Sequence, residues 1–396
     1  MTLTPTTRTV AGLGFTQIVG WGTTYLMPSV LGRSIQDALS ISSELVFAGI
    51  TVMFGVGALC SPRIGRIVDR TGARWIMTVG SLVYGLALVA LSMSQGPLSY
   101  LAGWAILGVG SSLALSIPSS IAMVQVAGPG ARRAISQLTI IGGLASSVFW
   151  PTTGILDAAL GWRQTLLIYA AIHILACAPV HFLVLPRRPP VHPPSPGSAT
   201  APASVIAPSD LSRVYLLLSI SLSFGAFVFT GVQVHMIEIL RGLGHAPAPA
   251  LLLASLIGPA QVGIRLFEMI FGHRYSIMRS AVLGSAMLPI GIGLALVAGD
   301  GFAVALVVMV AYGMSNGLKA VQRATLPLAL FGRAQFGAYM GRLALPQGIV
   351  SAASPPAMAA MLSQFGTAAA LWLTLAAATI SLVAMIMLAR LGRHIR

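Results

Sequence analysis

Two groups of polar side chains stand where an apolar chain should have none. Gln261, Arg265 and Glu268 fall at i, i+4 and i+7 inside one apolar run, and Asn316, Lys319 and Arg323 fall at i, i+3 and i+7 inside another. Either spacing puts three side chains on one face of an α-helix. A charge in the middle of a membrane-length run costs at least ~2.5–3.5 kcal/mol to insert, so it faces a partner or a wet cavity. Two or three cations against one nearby carboxylate leave positive charge in excess. A carboxylate or phosphate ligand would neutralise it, and arginine can grip such groups with two parallel hydrogen bonds. The chemistry this pattern suits is the binding of a small anion by Arg265, Lys319 and Arg323, with Asn316, Gln261 and Tyr25 orienting it. The plainer alternative makes Arg265–Glu268 a structural ion pair, while Lys319 and Arg323 reach along their stems to the membrane surface.

A second cluster closes a later run: QVHMIEIL (233–240) holds Gln233, His235 and Glu238. Histidine can change charge in the physiological range, so His235 is a candidate proton carrier, with an interfacial polar residue as the bland reading. Glu238 reads as solvated, His173 and His181 as packing residues on an outer helix, and Glu44 as a first-turn charge complementing a helix dipole. The two cysteines, Cys60 and Cys177, lie in apolar runs, so neither a disulfide framework nor a metal site is expected. No nucleotide loop, metal-ligand cluster or Ser/His/Asp cluster appears. No cofactor, no catalytic residue and no enzymatic activity are expected.

The elements that must carry these groups follow from composition. Of 396 residues, 56% are hydrophobic and 8% charged, and mean hydropathy is +0.88. A water-soluble domain of this size cannot hide that much apolar side chain. Runs of about 20 apolar residues, enough to cross ~30 Å of hydrocarbon, occur at about 11–31, 43–62, 75–94, 99–127, 134–156, 164–185, 214–238, 249–271, 280–299, 302–330, 343–363 and 368–389. Strand-like alternation is absent, so the runs predict twelve helices in two sets of six. The first is about as long as a full span and reads as a span, not as a cleaved signal.

Residues 186–212 are rich in Pro, Ser and Ala and are expected to form a flexible cytoplasmic linker between bundles at 1–185 and 213–396. The net charge of +15 comes from 23 Lys+Arg against 8 Asp+Glu. The basic residues sit in short breaks between runs, which reads as membrane topology and not as nucleic-acid binding. With both termini inside, 17 of them fall on the cytoplasmic side and three (Arg33, Arg163, Arg241) outside. Arg265, Lys319 and Arg323 remain within spans.

One connection is a motif. SPRIGRIVDRTGARW (61–75) carries G-x-x-x-D-R-x-G-x-R as Gly65, Asp69, Arg70, Gly72 and Arg74, and GHRYSIMR (272–279) is a weaker copy that keeps Gly272 and Arg274 but has Ser276 where an Asp would fall. This pattern resembles the signature loop of the major facilitator superfamily. The resemblance implies an all-α membrane protein: twelve transmembrane helices in two pseudo-symmetric six-helix bundles, helices 8 and 10 lining a cavity, 9 and 12 as outer supports. It also implies a gating role for Gly65, Asp69, Arg70, Gly72 and Arg74. Physically, Gly65 would let two helices touch, and Asp69 could cap a helix N-terminus and attract arginines.

Within the superfamily, the stretch 131–163, with its basic start, glycine-rich helix and terminal Gly161-Trp162-Arg163, looks like the monocarboxylate-porter and oxalate/formate-antiporter branch. That branch carries an Asp four residues before the arginine matching Arg265; this chain has Gln261 there. Glu268 is then the nearest replacement for the proton step, with His235 as the other candidate.

The expectation is a monomeric inner-membrane carrier with both termini cytoplasmic, embedded in lipid, moving a small organic anion by alternating access with protons or a counter-anion as partner. Proton-driven efflux of drugs or metabolites is the alternative, and a non-transporting membrane sensor is the alternative of another class.

Overall fold

Proline and short hydroxyl side chains decide where the helices start and break. In the computed structural model, which describes residues 4–187, 209–298, 301–333 and 335–391, the first pass opens on Thr4. Its hydroxyl accepts from the Thr7 N–H at 3.2 Å, and Pro5 occupies the first helical position, where a missing N–H costs nothing. This pass runs over Pro5–Gly22 and, after a break before Pro28, over Pro28–Leu39. The second, Ser43–Thr71, opens on Ser42, which accepts from the Leu45 N–H, and carries Glu44 in its first turn. A single glycine joins it to the third, Ala73–Ser92: Gly72 has φ 84°, a conformation that a side chain resists. The motif that resembles a signature loop is therefore mostly helix.

The fourth pass shows how a break is repaired. Pro118 cannot donate to the carbonyl four residues earlier, so the helix parts at Leu115 into Pro97–Ala114 and Ser116–Ala127. The freed Ala114 carbonyl accepts from Gln17 Nε2 at 3.3 Å, and the same amide donates to Ser119 Oγ at 2.8 Å. The fifth pass comprises Ala131–Gly142 and Ala145–Leu160. The sixth comprises Trp162–Ile172 and Ala178–Val184 with a π-helical turn, His173–Cys177, between them. Arg163 in the Gly-Trp-Arg stretch donates to the Ser92 and Ser94 carbonyls at 2.7 and 3.0 Å, satisfying orphan acceptors at the end of the third pass.

The chain divides into two compact units. The first is Met1–Ala201 with Arg333–Leu345, the second Pro202–Gly332 with Pro346–Arg396. The linker expected at 186–212 lies almost wholly outside the described residues. In the first unit, Tyr84, Tyr100, Trp104 and Tyr169 are fully buried. Lipid gives helices little hydrophobic reason to associate, so close packing over small residues has to hold them. Gly108 supplies it: a Cβ there would lie 2.8 Å from the Met53 carbonyl oxygen.

The second unit contains the seventh pass, Leu211–Gly242, and an eighth made of Pro247–Ser255 and Ile257–Phe271. Ile277–Ala298 and Phe302–Phe331 follow as ninth and tenth. The last helix, Phe336–Leu391, holds the eleventh and twelfth passes, parted at Gly366 with φ 80°. Among the described residues nine helices are long and apolar enough to cross a membrane. Two of these, Pro97–Leu160 and Phe336–Leu391, each hold two passes, and the first pass is split by its break, which gives the twelve transmembrane helices expected. Leu98, Leu175 and Val297 are 84%, 75% and 89% exposed, as lipid-facing side chains should be.

Candidate functional site

The tenth pass sorts its residues by face, and this sorting builds the site. Gly313 and Gly317 take the eighth pass: a Cβ on Gly313 would stand 2.8 Å from the Ile257 carbonyl oxygen, and one on Gly317 2.7 Å from that of Gln261. Ser315 donates to the Gly284 carbonyl of the ninth pass. Lys319 comes two residues after Gly317, about 200° further round the helix, and so turns away from the eighth pass. Its Nζ donates to Ser381 Oγ of the twelfth pass at 3.1 Å. On the seventh pass Gly225 makes room for the amine, since a Cβ there would lie 2.6 Å from Nζ.

Ser381 is itself held. Its hydroxyl donates to the Ser221 carbonyl at 2.7 Å, and Ser221 Oγ donates back to the Ser381 carbonyl at 2.8 Å. Lys319 is half-buried, and among the described residues no acid pairs with it; two of its three N–H donors are left over. Asn316, one turn earlier on the same face, is 5% exposed and its Nδ2 has no partner. Arg323, one turn later, is exposed. Lys319 and Arg323 offer only donors here, and Asn316 adds an Nδ2 without a partner among the described residues, so the face is suited to an anion.

The remaining candidates fall into separate groups. Arg265 is buried and its Nη2 donates to Gln261 Oε1 at 3.2 Å. Glu268 accepts from Ser280 Oγ of the ninth pass at 2.9 Å, and Gln322 Nε2 reaches the same hydroxyl at 3.4 Å. His235 Nε2 donates to the Pro355 carbonyl at 3.1 Å, while Nδ1 lies 3.2 Å from Glu238 Oε2. Tyr25, in the first unit, packs edge-on to Trp21 and against Phe54, with ring centroids 5.9 Å apart in both pairs.

In the motif, Asp69 caps a helix from outside it. Its two carboxylate oxygens accept from the Gly337 and Ala338 N–H groups at 2.9 and 2.8 Å, in the first turn of the helix that begins at Phe336. Those donors have no partner within their own helix, and the dipole there favours a negative charge. Gly65 permits the approach, because a Cβ would run into the Gly337 carbonyl. Arg74 stacks 4.0 Å over the Phe182 ring, and Arg70 is exposed in the last turn of its helix.

One expectation is corrected here. The twelfth pass, expected as an outer support, supplies Ser381 to the one mid-span lysine, and the same serine exchanges two hydrogen bonds with Ser221 of the seventh pass. His173 and His181, expected as packing on an outer helix, are buried, and each also makes hydrogen bonds. His173 Nε2 lies 2.9 Å from Thr23 Oγ1, and the ring stacks on Tyr84. His181 reaches Ser81 Oγ at 2.9 Å and Thr16 Oγ1 at 3.0 Å. Sequence reasoning also missed Ser221, Gly225 and Ser381. The available signal was the Ser219, Ser221, Ser223 alternation and the isolated Ser381 in otherwise apolar runs.

A family model described as the Major Facilitator Superfamily matches residues 13–321. The chain belongs to the major facilitator superfamily. That family is one of transporters, which sets an enzyme reading aside. Among curated proteins, Multidrug resistance protein MdtG of Yersinia enterocolitica is 30% identical over 149 residues, 37% of this chain; the match spans 34% of that relative's own length. Among solved structures, the human organic anion transporter MFSD10 (TETRAN) aligns with TM-score 0.71 at 16% identity, over 97% of this chain and 98% of that one. FucP, a superfamily transporter in the outward conformation, gives 0.69 at 12% identity, over 96% and 98%. The proton:xylose symporter XylE gives 0.68 at 14%, over 96% and 94%. At these identities the solved structures speak for the superfamily fold alone.

Proposed function

We propose that this superfamily member is a secondary transporter that carries a small organic anion, a carboxylate first, across the inner membrane by alternating access, coupled to protons or to a counter-anion. One observation carries the reading: Asn316, Lys319 and Arg323 lie on one helix face, where the half-buried Lys319 side chain has no acid partner and Asn316 Nδ2 no acceptor among the described residues. Leaving such donors unpaired costs free energy that a bound carboxylate would recover. Arg265 with Gln261 offers a second cationic group. The span-5 resemblance to monocarboxylate and oxalate/formate carriers favours the same class. Asp69, Gly65, Arg70, Gly72 and Arg74 would form the cytoplasmic gate, the Asp69 carboxylate being released from the helix end in one conformation and bound in the other. A coupled proton would be held by Glu268, His235 or Lys319.

Uptake into proteoliposomes from a panel of oxalate, lactate and inorganic phosphate, with and without an imposed pH gradient, tests the reading. Accumulation of at least one anion is expected. No transport, together with no thermal protection by any of them, would defeat it. The match to MdtG favours a second reading, proton-driven efflux of drugs or metabolites. Under that reading Lys319→Gln leaves transport of neutral and cationic compounds intact.

A further inference from the structure

Lys319 is the only lysine in the chain; all 22 other basic residues among the 23 are arginines. Topology, surface stacking and capping of carbonyl groups are served by either residue, and this chain meets every such need with arginine. Arg163 on the Ser92 and Ser94 carbonyls and Arg74 over Phe182 are examples. One property separates the two side chains at a site like that of Lys319. An ammonium can give up its proton and take it back, whereas a guanidinium in a protein stays charged.

The surroundings of Lys319 suit such a change. The amine makes one hydrogen bond, to Ser381 Oγ, and that hydroxyl, which also donates to Ser221, can accept from either form of the amine. From the seventh pass it meets Ser221 and Gly225, with no titratable group within a turn of either; from the twelfth it meets Ser381, with no charged residue before Arg390. On its own helix Arg323, one turn later, is a like charge that resists a second one, and Asn316 is neutral. Arg265 on the eighth pass is a further cation. Two acids of the same unit are engaged elsewhere, Glu268 with Ser280 and Glu238 with His235. An arriving anion would be the partner that makes the ammonium the favoured form.

We propose that Lys319 is the proton carrier of the transport cycle: a neutral amine while the site is empty and an ammonium while an anion is bound, so that anion and proton travel together. The Nζ lone pair takes its proton from the water on the side where the anion enters, and both return to water where the anion leaves. Arg323 stays charged throughout and serves to attract the anion. This rests on the anion reading above, and it selects symport over exchange.

The chain, reductively methylated with carbon-13 formaldehyde before transfer into lipid nanodiscs, carries label on Lys319 and its α-amino group alone, and Lys319→Arg assigns the two. At neutral pH the Lys319 methyl resonance is expected at the amine position in the empty protein and at the ammonium position after oxalate, lactate or inorganic phosphate is added. In weakly buffered solution, proton uptake of about one per bound anion should accompany the change. Lys319→Arg should bind the same probe with no proton uptake. An ammonium resonance in the empty protein overturns the proposal, whether or not any anion binds. Undiminished proton uptake by a folded Lys319→Arg also overturns it, and leaves the anion reading standing. If none of the probes protects the protein thermally, the anion reading falls, while the resonance of the empty protein still decides the state of Lys319.

Discussion

Lys319 commits one of three N–H donors to Ser381 Oγ, and the space that allows this is the missing side chain of Gly225. Gly225→Ala puts a methyl group 2.6 Å from the resting position of Nζ. The tip of a flexible side chain can move aside, so folding should survive and the thermal midpoint should stay close to that of the parent. The amine would leave Ser381, and anion affinity should fall by about tenfold, which corresponds to ~1.4 kcal/mol. Lys319→Gln should remove saturable anion uptake altogether. Equal, full activity in Gly225→Ala, measured by uptake kinetics in proteoliposomes, would detach this pocket from transport. The lysine itself was legible as a mid-span charge; its partners were not. A serine in an apolar helix usually satisfies itself on its own helix, as Thr230 does on the Ala226 carbonyl and Thr374 on that of Ala370. Ser381 and Ser221 look the same in the sequence and instead bond to each other across two helices.

Breaks in the helices were readable from proline, but the groups that repair them were not. Pro118 announces that the Ala114 carbonyl loses its donor; nothing in the local pattern says that Gln17, nearly a hundred residues earlier, supplies another. A double-mutant cycle isolates this repair. Gln17→Leu leaves a buried carbonyl without a partner and should cost about 1–3 kcal/mol. Pro118→Ala restores an N–H to the same carbonyl, so the double variant should recover much of that loss. Thermal or denaturant unfolding in detergent reads the coupling, and strict additivity would mean the Gln17 bond carries no energy. The Asp69 cap is the complementary case, since both the carboxylate and its purpose could be anticipated from residue types, while the helix it caps could not. Asp69→Asn keeps the shape and removes the charge that faces two N–H dipoles, and should lower stability by about 1–2 kcal/mol. An unchanged melting temperature would show that those two hydrogen bonds hold nothing.

For the molecule as a whole, the arginines decide which way the chain crosses the bilayer. Seventeen basic residues fall on one side and three on the other when the twelve passes alternate. Carrying a single charge across 100 mV costs ~2.3 kcal/mol, so inverting a chain with so lopsided a distribution would be opposed by tens of kcal/mol. Gln95, exposed in the turn between the third and fourth passes, should therefore face outward, and Arg133, exposed at the start of the fifth, should face the cytoplasm. The native cysteines interfere little, because Cys177 is buried and Cys60 can be replaced by alanine. In that background, cysteine at 95 should react with a membrane-impermeant maleimide added to intact cells, and cysteine at 133 only after lysis. The reverse pattern would put Asp69 and its cap on the outer face, where a cytoplasmic gate cannot be. Labelling of both positions in intact cells would break the alternation of passes between residues 95 and 133, and with it the placement of Gln17 against the fourth pass.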